Sequence, residues 1–241
     1  MIYNNIHKGI FRSRPNRFIA EIEIDGKLEI CHVKNTGRCK ELLVPGAAVY
    51  ANYADSPSRS TKYGLIAVHK GNLLINMDSL APNRAFGEYL QQGRFLDNVT
   101  YVKSEARYGG SRFDFYVETA TSKTFIEVKG VTLEENGVAM FPDAPTERGI
   151  KHLNKLAACV ADGYNAYVVF VIQIDGATHS PSGELLTDTP RISYFTPNYK
   201  THPAFGDTLA KVAQAGVHVL AFDCKVKPDE MVISKPIPIK L

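Results

Sequence analysis

The stretch that decides the fold of the second half of this chain is 111–133, which reads SRFDFYVETATSKTFIEVKGVTL. It holds two runs rich in aromatic and β-branched residues, 112–118 and 124–129, separated by a short polar segment. Two such runs joined by a few polar residues predict a β-hairpin. A loop over 119–122 sets a register in which Asp114 lies directly opposite Glu127.

Three charged residues interrupt these otherwise apolar strands: Asp114, Glu127 and Lys129. Side chains alternate along a strand, so Glu127 and Lys129 are expected to project from the same face. Two carboxylates that face each other across a sheet destabilise it unless a cation or a bound proton neutralises them. A Mg²⁺ or Mn²⁺ ion suits such a pair of oxygen ligands. From the residues alone, the alternative is a solvated sheet face with alternating charges and no ion.

Further elements surround this hairpin. The segment 146–161 has apolar residues at helical spacing, and its inner face is predicted to carry Ile150, Leu153 and Val160. The stretch 165–174 is almost wholly apolar, as in a strand buried on both faces. The remaining predicted elements are a helix over 83–92 capped by Asn83, a strand over 99–107, a helix over 205–215 and a strand over 217–222. This order predicts an α+β or α/β arrangement, a mixed sheet with helices on its faces.

The first 81 residues have a different pattern, in which short strands alternate with turns. Residues 18–30 alternate apolar and polar positions around Asp25-Gly26, which predicts a hairpin. About five such strands and no long helix predict a small all-β barrel or sandwich, and an OB-like barrel fits this length. The pattern changes after Ala81, so the sequence predicts two domains, 1–81 and 82–241.

The composition is that of a soluble globular protein, with 241 residues, 44% of them hydrophobic and 22% charged. Its longest apolar run is far below the roughly 20 residues of a membrane span, so no membrane association is expected. The four cysteines form no Cys-x-x-Cys pair, which argues against zinc and favours a reducing cytoplasm. The net charge is +3, and residues 1–81 contain 11 Lys and Arg against 7 Asp and Glu, an excess that suits a phosphate backbone.

Asp114 followed by Glu127-Val128-Lys129 resembles the core motif of PD-(D/E)xK nucleases. A wider set of blocks is similar to the bacterial sugar fermentation stimulation protein A family: NTGR at 35–38, APNR at 81–84, SRFDF at 111–115, IEVKGVTL at 126–133 and FPDAPTERGIKHL at 141–153. The resemblance covers most of the chain, although NYKT at 198–201 departs from the acidic Asp-Pro text expected there. It implies an OB-like domain, then a nuclease-like domain, DNA binding and a regulatory link to maltose use.

The strand pattern and the resemblance together define the candidate site. Asp114 and Glu127 are the predicted ligands of one Mg²⁺ or Mn²⁺ ion, and Lys129 is predicted to act with them as a catalytic residue that orients a water or stabilises charge on a phosphoryl oxygen. Nucleases of this type often carry another acidic ligand on the helix that opens the domain, which points to Glu88, with Glu105 as a competing candidate. Asp143 is left open between a third carboxylate of the site and a helix cap.

A basic stripe is predicted on the helix that follows the acidic strand. Arg148, His152 and Lys155 recur at helical spacing, with Lys151 beside them. Such a stripe can hold the phosphates of DNA next to the carboxylates, although an ordinary solvated helix face has the same pattern. The predicted nucleic-acid-binding residues are Arg38, Arg148, Lys151, His152 and Lys155.

These observations favour a DNA-binding protein with a metal-dependent nuclease-like site that hydrolyses phosphodiester bonds. The alternative is a DNA-binding transcriptional regulator, linked to maltose metabolism, that does not cut. The complete set of Asp114, Glu127 and Lys129 favours the first class, because a pure binder has no need of all three. An enzyme of nucleotide metabolism is a third alternative. The expected partner is DNA, and a homodimer is left open by the sequence.

Overall fold

The computed structural model describes residues 1–35, 37, 39–55, 60–175, 178–179, 185–187 and 192–241. The helices in this part of the chain are α1 Ala81–Gln91, α2 Glu147–Ala161 and α3 Pro203–Gln214. The strands are β1 Ile6–Asn16, β2 Ile19–Ile24, β3 Lys27–Val33, β4 Ala48–Tyr53, β5 Tyr63–Lys70, β6 Leu73–Asn76, β7 Val99–Tyr108, β8 Ser111–Thr119, β9 Lys123–Val131, β10 Leu133–Glu135, β11 Val138–Phe141, β12 Asn165–Asp175, β13 Thr178–His179, β14 Leu185–Thr187, β15 Tyr194–Pro197, β16 His218–Lys227 and β17 Glu230–Pro236.

The chain divides into two compact units, and the first contains a closed five-stranded barrel. β1 pairs antiparallel with β2 and β4, β2 with β3, and β4 with β5. β3 closes the ring by pairing in parallel with β5. This strand order confirms the predicted OB-like barrel.

The β2–β3 hairpin shows why this sequence forms the barrel wall. Ala20, Ile22 and Ile24 alternate along β2 and are buried in the barrel. Asp25 and Gly26 both have positive φ, 49° and 74°, which is the backbone of the two-residue turns that match the twist of paired strands. The predicted hairpin is therefore confirmed, and its turn residues account for it.

The second unit is built on a mixed sheet, as predicted. β7, β8 and β9 are antiparallel neighbours, and β12 pairs in parallel with β9. β12 is buried over nearly its whole length, as its apolar sequence predicts. The helices α1, α2 and α3 belong to the same unit, together with a small sheet of β10, β11 and β15.

The register of the β8–β9 hairpin agrees with the predicted one. Phe115 pairs with Ile126 and Glu118 with Lys123. Continuing this register by one residue brings Asp114 to the level of Glu127. Thr119 still belongs to β8, and its N–H donates to the carbonyl oxygen of Ser122 at 3.0 Å, so the joining turn is shorter than predicted but keeps the predicted register and makes the acidic residues neighbours.

The structure differs from the predicted organisation in two places. The second unit is not the continuous stretch 82–241, because Gln173–Arg191 and Asp223–Ser234 belong to the first unit. β12 accounts for the first of these segments, since its Ile174 pairs with Ile75 of β6 in that unit. In addition, α1 begins at Ala81, so Asn83 lies in its first turn and is not its cap. Hydrophobic periodicity carries no information on which sheet a strand will join, and it leaves helix ends uncertain by a few residues.

In the described ranges, no helix is both long and apolar enough to cross a bilayer.

The close approach of β1 to β2 gives a test of the barrel. A Cβ atom on Gly9 would lie 2.8 Å from the backbone oxygen of Glu23, which cannot move without breaking the ladder. Gly9→Ala should therefore lower the free energy of unfolding by about 1–3 kcal/mol, measured by urea denaturation. Gly110→Ala is the matched control, because a Cβ there meets nothing within 4 Å. Equal stability of the two variants would show that the strands do not approach as closely as described.

Candidate active site

The predicted catalytic residues lie together in the second unit. Asp114 is on β8, and Glu127 and Lys129 are on β9. Along the chain, β10, β11 and then α2 follow these two strands. Asp114 is half-buried, whereas Glu127 is only 3% exposed. Two helices also contribute side chains, Asn83 from α1 and His152 from α2.

The two oxygens of Glu127 have different surroundings. Oε1 accepts a hydrogen bond from the Lys129 ammonium, with Nζ at 2.6 Å, and it also contacts Nδ1 of His152. Oε2 is buried and has no hydrogen-bond partner among the described residues. A buried carboxylate oxygen without a partner is costly, so Oε2 marks a position where a positive group would be stabilised.

Both oxygens of Asp114 accept hydrogen bonds. The Asn83 side-chain amide donates to Oδ1 at 2.6 Å, and the backbone N–H of Val128 donates to Oδ2 at 2.8 Å. The Asp114 carboxylate thus takes the place of a backbone acceptor at this point of β9. Each carboxylate oxygen has a second lone pair, so these bonds leave Asp114 able to take a cation as well.

The surroundings shift the pKa values of the two carboxyl groups in opposite directions. Burial and the nearby Glu127 raise the pKa of Asp114 above its ordinary value, despite the hydrogen bonds from Val128 and Asn83 and the positive charge of Lys129. Burial also raises the pKa of Glu127, but the hydrogen bond with His152 and the Lys129 ammonium outweigh burial and lower it. Glu127 therefore stays ionised, and its charge makes ionisation of Asp114 unfavourable. A cation near both groups would remove that conflict.

Three other predicted carboxylates are exposed. Glu88 is exposed on α1, and Glu105 is exposed on β7 with Arg112 at 3.5 Å. Asp143 is exposed before α2 and is not the helix cap, since Thr146 fills that role by accepting from the N–H of Gly149. Within the described residues, no three His, Cys, Asp or Glu side chains are grouped so that they could hold a metal ion.

Two family models match this chain. The SfsA N-terminal OB domain matches residues 13–77, and the sugar fermentation stimulation protein RE domain matches residues 80–230. The chain belongs to the sugar fermentation stimulation protein (SfsA) family. This confirms the resemblance found in the motifs around Asp114 and Glu127.

Relatives of this SfsA family member match it along its whole length. A sugar fermentation stimulation protein homolog of Desulfitobacterium hafniense is 55% identical over 241 residues, covering 100% of this chain and 99% of the relative. The homolog of Ruminiclostridium cellulolyticum is 52% identical over 241 residues, covering 100% of both. Among solved structures, that of Pyrococcus furiosus SfsA in complex with Ca²⁺ has a TM-score of 0.86 and 26% identity, and covers 100% of this chain and 98% of that chain.

The predicted basic stripe of this SfsA chain is only partly present. Arg148 and Lys151 are exposed on α2 and Lys155 is partly exposed, but His152 is 8% exposed and faces Glu127. The prediction that His152 belongs to an exposed stripe is wrong. Arg38 lies outside the described residues.

The inner face of α2 is rotated relative to the prediction. The buried residues of the helix are Gly149, His152, Leu153, Leu156 and Cys159, whereas Ile150 and Val160 are half-buried. A Cβ on Gly149 would lie 2.8 Å from Thr146 and 3.1 Å from the Phe205 ring, so the missing side chain lets α2 pack closely on that face. The spacing of these five residues is also helical, but counting only large apolar residues overlooks it.

Asn83 is the site residue that sequence analysis missed. It lies in the APNR block at 81–84, and its polar side chain near the start of a helix has the appearance of a cap. Only the folded structure brings it next to Asp114. The resemblance of the block to the family was the one feature of the sequence that pointed to a role.

The Asn83 hydrogen bond can be tested through the ionisation of Asp114. Its donor stabilises the charged form, so Asn83→Ala should raise the pKa of Asp114 further, as measured by carboxyl-carbon NMR titration. Asn154→Ala, at an exposed position of α2, is the control and should leave that pKa unchanged. The same Asp114 titration in both variants would show that the bond does not form in solution.

Proposed function

We propose that this protein is a DNA-binding, metal-dependent phosphodiesterase that holds one divalent cation between Asp114 and Glu127. The observation that carries the proposal is the Oε2 atom of Glu127, which is buried without a hydrogen-bond partner in the described chain. Beside it, Asp114 has a pKa raised by burial and by Glu127. The oxygen is buried and ionised, and it lies next to a carboxyl group whose ionisation is unfavourable. A cation bound there would stabilise the negative charge of both groups.

The donor set fits a hard cation. Carboxylate oxygens are the ligands that Mg²⁺, Mn²⁺ and Ca²⁺ prefer, and soft metals would favour the thiolate or imidazole ligands that the Asp114–Glu127 pair does not offer. The related Pyrococcus furiosus structure is described as a complex with Ca²⁺, an ion of this class. With only two protein carboxylates, water would complete the coordination of Mg²⁺ or Mn²⁺, as is usual for Mg²⁺.

A bound divalent ion supplies Lewis-acid polarisation of a phosphoryl oxygen and lowers the pKa of a coordinated water. The residues of the chain perform the other tasks. Asp114 and Glu127 would hold the ion, and a phosphate bound to that ion would thereby be positioned. Lys129, whose side chain is 15% exposed, keeps its ammonium beside Glu127 and so brings positive charge to the edge of the site. There it can stabilise the negative charge that develops on the phosphoryl oxygens.

The exposed part of α2 supports nucleic acid as the substrate. Arg148 and Lys151 are exposed and Lys155 is partly exposed, on the same helix that places His152 against Glu127. Phosphates of a DNA backbone held by these side chains would lie close to the carboxylates. The barrel of the first unit belongs to a fold that often binds oligonucleotides, which is a fold-level analogy.

One observation favours a second candidate, a DNA-binding transcriptional regulator linked to maltose metabolism that does not cut. Lys129 already lies 2.6 Å from Oε1 of Glu127, so part of the acidic charge is balanced without any ion. The names of the relatives refer to stimulation of sugar fermentation and not to cleavage. Only a cleavage assay with site variants separates the two candidates.

The cleavage assay uses single- and double-stranded DNA with Mg²⁺ or Mn²⁺. Lys129→Met should reduce the cleavage rate by about 10²–10³, because it removes one electrostatic group from the reacting centre. Asp114→Asn should remove both cleavage and Mn²⁺ binding, since it deletes a ligand charge. Cleavage that survives both substitutions belongs to a contaminant, and DNA binding without cleavage by the wild type would favour the regulator.

DNA affinity should depend on salt through the exposed lysines of α2. Counterion release makes the logarithm of affinity fall linearly with the logarithm of salt concentration. Replacing Lys151 and Lys155 by alanine should make this slope shallower by about two units, measured by fluorescence anisotropy. Arg148 is left unchanged because its Nε lies 3.5 Å from His152.

Lys211→Ala is the control for this measurement. Lys211 is also an exposed helical lysine of the second unit, but it lies on α3. A slope that changes equally in Lys151→Ala and Lys211→Ala would indicate a general effect of net charge and contradict a phosphate contact on α2.

A further inference from the structure

We propose that His152 is a positioning residue that holds the Glu127 carboxylate with Oε1 toward the donors of the chain and Oε2 toward the cation. This inference rests on the proposed metal site. It assigns His152 a role different from the phosphate contact expected from the sequence, because a side chain that is 8% exposed and contacts Glu127 is not available to a DNA backbone.

The imidazole of His152 is held from two sides. Its Nδ1 contacts Oε1 of Glu127, and its ring packs edge to face against Phe113 with the centroids 6.2 Å apart. The backbone of His152 is fixed by α2, whose first turn is capped by Thr146. A ring with only two rotatable bonds, fixed in this way, restricts the rotation of the carboxylate that it contacts.

The contact with Arg148 favours one tautomer of His152, with the hydrogen on Nδ1. Its Nε lies 3.5 Å from Nε2 of His152, one helical turn away. An arginine side chain has only donors, so Nε2 is the acceptor in this contact. The ring hydrogen then lies on Nδ1, which donates to Oε1 of Glu127. A neutral imidazole is sufficient for this arrangement, and no change of protonation is required.

The consequence concerns which oxygen of Glu127 faces the cation. Oε1 is 2.6 Å from Nζ of Lys129 and also contacts His152. Oε2 is therefore the oxygen without a hydrogen bond among the described residues. Lys129 alone would not fix this orientation, because its long side chain can follow either oxygen when the carboxylate turns. A half-turn of the carboxylate only exchanges its two equivalent oxygens, but a smaller rotation would move one oxygen away from the donors and the other away from the cation. His152 therefore keeps the Lys129 ammonium and the ion at different oxygens of Glu127.

Removal of a side chain that orients a metal ligand typically lowers metal affinity by about 10–100-fold. We therefore expect His152→Gln to weaken Mn²⁺ binding by about this factor, because the glutamine amide sits one bond farther out than Nδ1 of histidine. His152→Asn should stay within about threefold of the wild type, since its amide nitrogen occupies nearly the same position as Nδ1. The measurement is calorimetric titration of the full chain with Mn²⁺ alone.

Three further samples complete the experiment. Asn154→Ala, at an exposed position of α2, should bind Mn²⁺ like the wild type. Asp114→Asn should not bind Mn²⁺. His152→Leu keeps an apolar side chain against Phe113 but has no donor, and thermal unfolding of every variant shows whether the fold is retained. If His152→Leu does not fold, the comparison of His152→Asn with His152→Gln still decides the question, because both are polar and compatible with a helix.

The outcomes separate this inference from the function on which it rests. If the wild type and His152→Asn bind while His152→Gln binds more weakly, His152 positions Glu127. If Asp114→Asn loses binding but all folded His152 variants bind like the wild type, the metal site stands and the positioning role is overturned. Absence of Mn²⁺ binding by the wild type would overturn the proposed metal site and this inference together.

Discussion

The structure of the second unit depends on one electrostatic constraint, the burial of two carboxylates on neighbouring strands. Asp114 and Glu127 come to the same level of the sheet through the register of the β8–β9 hairpin. Their mutual repulsion and burial raise the pKa of Asp114, while the donors around Glu127 lower the pKa of that group. A folded protein tolerates such a pair only when polar partners surround it, and those partners are supplied by separate elements of the fold.

Two helices supply partners to these carboxylates. α1 supplies Asn83 to one oxygen of Asp114, and α2 supplies His152 to one oxygen of Glu127. Gly149 permits α2 to lie close to Phe205 of α3, which helps to fix the face of α2 that carries His152. The site is therefore not a feature of two strands alone. The first turn of one helix, the middle of another and the middle of a hairpin meet there around two acidic side chains.

Family membership and site chemistry contribute different kinds of knowledge about this protein. Two family models and full-length relatives establish that it is an SfsA protein with an OB-type domain followed by a mixed-sheet domain. A fold or family name does not by itself define a reaction. The proposal of metal-dependent chemistry comes instead from the surroundings of Glu127, where one oxygen has two donors and the other has none among the described residues.

Local periodicity and turn length in the sequence determined a small all-β first domain, the mixed sheet and the hairpin register that pairs Asp114 with Glu127, whereas the OB type came from the length of that domain and the family resemblance. The sequence did not determine the roles of Asn83 and His152, which resembled a helix cap and a surface cation. Asn83 is 31 positions from Asp114 in the chain, and His152 is 25 positions from Glu127. The sequence also did not show that Gln173–Arg191 joins the first unit. Such contacts arise from how helices and strands pack in three dimensions, and no local pattern in the chain encodes that packing.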